Sequence, residues 1–369
     1  MGTPLRPFTP VSPGEILAEE IEARGWSQSD LAAVLGRPAQ AINEIVVGKK
    51  AITPETAIAL SQAMGTSAEY WLNLEASYRL DLLHARGGPP SGDVERRARL
   101  FSKVPLKELI RIGWIQADLS DLDQTEAAVC RFLEISSIEE EAKLPFAARK
   151  AEARAPHTPA QMAWVCQVRQ VARAMKVQQY TRDGLAAAAL NLGRLSTSEG
   201  ETRRVASVLA DLGVRFVVVP PLAGTKIDGA TVWLDDESPV VAVSFRYDRL
   251  DWFWFTLMHE LAHVASGDGR RQPLIDLSLV GADGGSEEVP PIEARANRTA
   301  AHWLVPEDAM KTFLRQTRPY FGRDAILRFA ARLGVHPAIV VGQLQKRGEV
   351  PYTHHRSLLV KVRSAFGGV

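Results

Sequence analysis

The chain has 369 residues, enough for two or three domains. Apolar residues make up 46% and charged residues 24%, an ordinary globular balance, and 44 basic against 43 acidic side chains exclude a polybasic protein that grips nucleic acid by bulk charge alone. Two cysteines, Cys130 and Cys166, exclude a Cys-ligated zinc ribbon and argue against a disulfide-stapled secreted scaffold. No apolar run approaches the ~20 residues of a membrane span, and MGTPLRPFTPVSPGE lacks an apolar signal core, so the expectation is a cytoplasmic protein with no membrane partner.

Residues 1–13 are Pro-rich and read as extended. From Gly14 to Tyr78, short helical blocks alternate with Gly and Pro. Ser27 caps a helix over Gln28–Leu35, Gly36 ends it in a left-handed turn, and Pro38 opens the next helix, Pro38–Val47. A small residue (Ala32), a tight turn (Gly36) and an apolar contact (Ile42) have helix-turn-helix spacing. Val34, Leu35, Ile42, Ile45 and Val46 are expected on the inner face, with Gln40, Asn43 and Glu44 off it on the second helix. Arg37, Lys49 and Lys50 flank that helix and can meet phosphates, and Gln28 can do so at a helix N-terminus. Residues 1–80 carry six basic and nine acidic side chains, so DNA binding must rest on a local patch and be salt-sensitive.

RGGPPSGD, residues 86–93, is the clearest linker. Residues 94–212 read as helical blocks near 94–100, 105–117, 124–134, 138–153, 158–178, 181–192 and 199–212. They carry no catalytic signature, and Cys130 and Cys166 sit among apolar residues as small core hydrophobes do. FVVVP, ATVWL and VVAVSF are then β-branched runs with strand punctuation. A long apolar helix is expected at 250–265, a loop rich in Gly and acidic residues after it, a helix near 291–304, and further helices to about 347.

FTLMHELAHVASGD holds the sharpest chemistry. His259 and His263 are four apart, ~40° round a helix, so both imidazoles reach one ion. Glu260 lies between them, placed to hold water beside a metal without ligating it, the logic of HExxH zinc peptidases. Apolar flanks bury this helix, and two histidines and a glutamate there need a compensating partner. Catalytic zinc takes three protein ligands and leaves one position open. Glu293, on the helix that Pro290 and Pro291 can start, best suits the third place. Asn297, four residues on, can fix a ligating histidine's tautomer. His302 is ~180° round from Glu293, while Asp268, Asp276, Glu287 and Glu288 lie in loop-like surroundings. An extended substrate is expected to add to ATVWL or VVAVSF at a sheet edge. Tyr247, Arg246, His354 and His355 stay open as oxyanion stabilisers, with exposed surface side chains the favoured reading.

Two resemblances extend these readings. The stretch from PGEILAEEIEARGWSQ to LNLEASYRL resembles HigA-type antitoxins of the Cro/repressor helix-turn-helix class. That implies a five-helix domain that binds a palindromic double-stranded operator as a homodimer. HELAH with EARANRTAAHWLVP resembles the ImmA/IrrE metallopeptidases over residues 200–345, with Arg295 where a second Glu is common and Thr299 where Phe is common. That implies a small gluzincin-like fold; some members cleave helix-turn-helix repressors under stress. The expected fold is mainly α with a small α+β part: a helix-turn-helix domain at 1–85, a linker at 86–93, a helical middle at 94–212, a zinc-peptidase domain with a small sheet at 213–347, and a tail at 348–369. The expected function is a DNA-binding regulator whose zinc endopeptidase, with one Zn²⁺ per chain, cuts a regulator, either a partner or itself, in a stress or toxin–antitoxin response. The alternative is a non-catalytic antitoxin-like repressor whose zinc domain senses a signal or binds a toxin.

Overall fold

A computed structural model describes residues 10–85, 92–140, 158–270, 273–277 and 289–367. The extended start at 1–9, the linker residues 86–91 and most of the block expected at 138–153 lie outside them. The chain divides into two compact units, residues 1–96 and 97–369. No single helix among the described residues is long and apolar enough to cross a membrane.

The first unit contains α1 (Pro13–Ala23), α2 (Gln28–Leu35), α3 (Ala39–Val46), α4 (Pro54–Met64) and α5 (Ala68–Ala85). A reciprocal Ser27–Asp30 capping box starts α2, and Gly36, at φ 60°, ends it in the left-handed region that a Cβ would strain. Pro38 flanks α3 rather than opening it, because its ψ of 140° is extended. The core gathers Leu17, Leu31, Ile42, Ile45, Leu60 and Trp71. Val34, expected inside, is 55% exposed. The buried arc of α2 runs from Leu31 through Leu35 to Ala32, and Val34 lies ~60° beyond Leu31 on the solvent side.

Helix α6 (Asp93–Lys103) crosses the boundary between the units, and α7 (Leu106–Arg111), α8 (Leu122–Leu133), α9 (Pro159–Arg173), α10 (Arg182–Leu192), α11 (Glu199–Thr202) and α12 (Val205–Asp211) follow it. The block expected at 105–117 stops early because the amides of Trp114 and Ile115 turn back to the Leu109 carbonyl. Then come β1 (Arg215–Val218), β2 (Ile227–Trp233), β3 (Pro239–Val243), α13 (Leu250–Ser266), β4 (Leu274–Leu277), α14 (Pro291–Leu304), α15 (Glu307–Thr317), α16 (Arg323–Leu333) and α17 (Pro337–Lys346).

Strand β4 falls in the run expected to be loop. It pairs antiparallel with β2, β2 pairs antiparallel with β3, and β3 pairs parallel with β1, giving the order β1-β3-β2-β4. Strands β2 and β3, expected to offer an edge, therefore have both neighbours filled, and β4 is the edge on the β2 side. Every residue of β2 and β3 is buried because both faces of the sheet are covered. Val241, Val243 and Trp233 face the core around α13. Alternating with them, Val240, Ala242, Ala230 and Val232 face a second core made with Leu109, Phe132, Trp164 and Val168 of α7, α8 and α9. Leu185, Leu192, Val205 and Leu209 of α10 and α12 join the core around α13, whereas α7, α8 and α9 are the sheet's rear cover. Within them burial pushes the Cys166 thiol up to about 12. Native protein at pH 8 is expected to leave Cys166 unalkylated by iodoacetamide until it unfolds, as read by intact mass.

The end of the chain closes the front core. Phe366 packs against Phe216, Phe245 and Phe253, and the Leu250 amide donates to the Val360 carbonyl. The Asp248 carboxylate accepts from the amides of Val362 at 3.0 Å and Arg363 at 2.8 Å. Burial pushes this carboxyl up, but the two amides and the nearby Arg363 and Lys361 charges hold it below its ordinary value. Its stabilisation is therefore complete above the unfolded value of ~4 and is lost as pH falls through the lower folded one. Asp248→Asn is expected to cost about 1–3 kcal/mol at pH 7 and less at pH 3, measured by urea unfolding.

Candidate functional site

Helix α13 crosses the front face of the sheet and is buried along nearly its whole length. His259, Glu260 and His263 have no solvent exposure, and Glu293 of α14 faces them at 5%. One donor atom from each of His259, His263 and Glu293 lies within 4.8 Å of the others. The two Nε2 atoms are 2.9 Å apart, and Glu293 Oε2 is 3.2 Å from that of His259 and 3.4 Å from that of His263.

What stands behind the rings settles their chemistry. Nδ1 of His259 meets Asn297 Oδ1 at 3.1 Å, and Nδ1 of His263 meets Asp268 Oδ2 at 3.0 Å. Oxygen acceptors at both Nδ1 positions favour the proton there and leave each Nε2 lone pair turned inward. Two nitrogen lone pairs and a carboxylate oxygen then converge on one buried point, an arrangement that needs a cation. Two neutral imidazoles and a carboxylate are a donor set that suits zinc.

Glu260 is held from the sheet. Thr231 Oγ1 of β2 lies 2.7 Å from Glu260 Oε2 and 3.0 Å from the Glu260 carbonyl. Two residues earlier, Gly229 gives the carboxylate its space: a Cβ there would stand 2.5 Å from Glu260 Oε1 and 2.7 Å from Thr256 Cγ2. Sequence spacing signals a role for neither residue, because the contacts join β2 to α13 across 27 positions or more. Asp268, among the less favoured third ligands, instead orients His263. Arg295 donates to Asp268 Oδ2 at 2.6 Å, so this departure from the resembled pattern supports the site one bond removed from a ligand. Glu287 and Glu288 lie outside the described residues.

Among the open oxyanion candidates, Arg246 and Tyr247 border a small recess with Asp228 and Thr256. Arg246 donates to the Lys226 carbonyl at 3.1 Å and stacks on Tyr247. His354 and His355 follow α17, where the His354 carbonyl accepts from Gln345.

In the first unit Asn43, Lys49 and Lys50 are exposed, and Gln28 is half-buried at the start of α2. Arg37 is turned inward onto Thr56 Oγ1 at 2.7 Å, and Gln40 donates to Glu44 at 3.0 Å. A helix-turn-helix family model matches residues 17–71, and a peptidase-family model described as an IrrE N-terminal-like domain matches residues 211–344. Virulence-associated protein I of Dichelobacter nodosus is 40% identical over 73 residues, 20% of this chain and 68% of that protein. The chain belongs to the helix-turn-helix regulators and carries an IrrE-like domain. An uncharacterized HTH-type transcriptional regulator of Escherichia coli K12, YddM, is 34% identical over 68 residues, 18% of this chain and 72% of its own. Among solved structures, an addiction module antidote protein of the HigA family from Coxiella burnetii is 36% identical, covering 21% of this chain and 87% of that one at a TM-score of 0.21. Pseudomonas aeruginosa antitoxin HigA with the higBA promoter is 36% identical, with 21% and 85% covered and a TM-score of 0.20. His259, His263 and Glu293 fall within the IrrE-like domain and the exposed basic pair Lys49 and Lys50 within the helix-turn-helix domain.

Proposed function

We propose that this chain is a cytoplasmic, homodimeric transcription regulator that binds a two-fold operator through α3 and carries a zinc-dependent endopeptidase, which cuts a regulator protein, a partner or the chain itself. The observation that carries the reading is the buried convergence of His259, His263 and Glu293 with Glu260 beside them. Zinc held by those three residues would supply Lewis acidity, polarising a peptide carbonyl and making water nucleophilic near neutral pH. Glu260 accepts a proton from the attacking water and passes it to the departing amine. Thr231 fixes that carboxylate, while Asn297 and Asp268 hold the imidazole tautomers. Asn43, Lys49, Lys50 and Gln28 meet DNA directly, whereas Arg37, Gln40 and Glu44 must first release their internal hydrogen bonds.

The test incubates zinc-loaded full-length protein with and without its promoter DNA and the regulators encoded beside it. Discrete fragments that vanish in Glu260→Gln support the peptidase, and an Asn43-dependent footprint supports the operator role. Zinc-loaded protein that cuts nothing, or cuts unchanged as Glu260→Gln, overturns the catalytic assignment.

A further inference from the structure

Charge is divided unevenly along this chain. From Val289 to the end stand 13 basic and five acidic side chains, against 31 and 38 in residues 1–288. All 13 basic residues are exposed. The excess therefore lies outside the helix-turn-helix domain, which is itself acidic on balance.

Part of this excess forms one face. On α15, Glu307, Lys311, Arg315 and Arg318 follow one another at four, four and three positions, within ~80° of arc. Arg347 pairs with Glu307 and Arg318 pairs with Glu349, so the chain leaving α17 is tied to both ends of that stripe. Lys346 and Arg347 thus lie alongside it, and Arg298 of α14 stands with them around one opening. The nearby carboxylates do not cancel the charge. Glu307 and Glu349 are engaged in those two pairs. Asp251 is buried and holds Arg249 through two bonds, at 3.1 and 2.7 Å. Asp308 is exposed on the same side of α15, in its first turn. Six basic groups therefore stand against three acidic ones, and no described carboxylate pairs with Arg298, Lys311, Arg315 or Lys346.

From Lys311 to Arg318 the stripe is ~10 Å long, the rise of about three base pairs. Cationic side chains on a packed helix suit phosphate oxygens, and such contacts carry no base sequence. A helix-turn-helix domain on the same chain makes duplex DNA the polyanion at high effective concentration.

We propose that Lys311, Arg315, Arg318, Lys346, Arg347 and Arg298 form a second DNA contact, one that grips the duplex backbone without sequence preference while α3 reads the operator. The assignment rests on DNA binding by the first unit and not on the peptidase, and its test separates it from the operator reading. Full-length protein is titrated by anisotropy against its labelled promoter duplex and a scrambled duplex of equal length, at about 50 to 200 mM KCl. Lys311→Gln with Arg315→Gln is expected to weaken both duplexes alike, by about tenfold or more near 100 mM salt, and to lower the slope of log K against log salt by about 1.8, the share of two phosphates. Lys346→Gln, on another helix, lowers the slope by about 0.9 and covers the case of a poorly folded α15 variant. Lys311→Arg with Arg315→Lys keeps affinity and slope, because charge is what the backbone meets. Asn43→Ala acts differently: it removes the advantage of the promoter duplex and leaves the scrambled one unchanged. Affinities and slopes unaltered in both Gln variants overturn the proposal. Poly-glutamate that competes, charge for charge, as well as the scrambled duplex also overturns it and gives the face to an acidic protein. Equal binding of both duplexes, with a slope that still depends on Lys311 and Arg315, supports this face and sinks the operator reading.

Discussion

Glu260→Gln is expected to retain stoichiometric zinc and to lose about 10²–10⁴-fold in cleavage rate. The amide keeps the size of the carboxylate and can still meet Thr231, so α13 and its packing stay in place. What disappears is the ability to take a proton from water. The complementary change, Glu293→Gln, should act in the opposite order. Its Oε2 faces both Nε2 atoms, so a neutral amide there weakens metal binding first, and activity returns in part at high zinc. Metal analysis by mass spectrometry alongside rate measurements distinguishes the two. A Glu260→Gln protein that loses its zinc would make Glu260 a ligand and redraw the centre.

Gly229→Ala is expected to lower activity by about 10²-fold with nearly unchanged zinc content. A methyl group at this point of β2 lands inside van der Waals distance of Glu260 Oε1 and Thr256 Cγ2. Central strand and buried helix are both fixed by packing, so the side chain of Glu260 must yield, and a displacement near 1 Å in a catalytic group costs rates of that order. Thr231→Val probes the same contact from the other side: it keeps volume and removes the hydroxyl that positions Glu260. Equal rates for Gly229→Ala and the parent protein would show that Glu260 works from another rotamer.

The convergence of His259, His263 and Glu293 could be read from the chain because its geometry is local twice over. Two histidines four apart and a glutamate at the start of a Pro-initiated helix each carry their own helical phase. Asn297 was legible for the same reason, one turn beyond Glu293. Thr231, Gly229 and Asp268 are different in kind. Their roles depend on strand β2 lying under α13 and on the chain turning after Ser266, and no spacing rule encodes either. Strand β4 was missed because LIDL is four residues long and stands in a run rich in Gly and acidic residues, too brief for alternation to register. The placement of ATVWL and VVAVSF at an edge failed for a related reason. Strands buried on both faces lack the alternation that marks a half-exposed sheet, and nothing in their composition tells the interior of a sheet from its border. Val34 misled through hydropathy alone, where helical phase would have set it outside.

The stretch that matches the IrrE-like family begins at residue 211, yet the strands it contains are wetted on neither side only because α7, α8 and α9 come earlier in the chain. Evolutionary kinship and autonomous folding therefore have different borders in this molecule. A fragment cut at the border of kinship would strip the back of the sheet, leaving Val217, Val232, Val240 and Ala242 facing water and a ready template for aggregation. The IrrE-like domain owes the cover of its sheet to helices that lie outside the stretch matched by the family model.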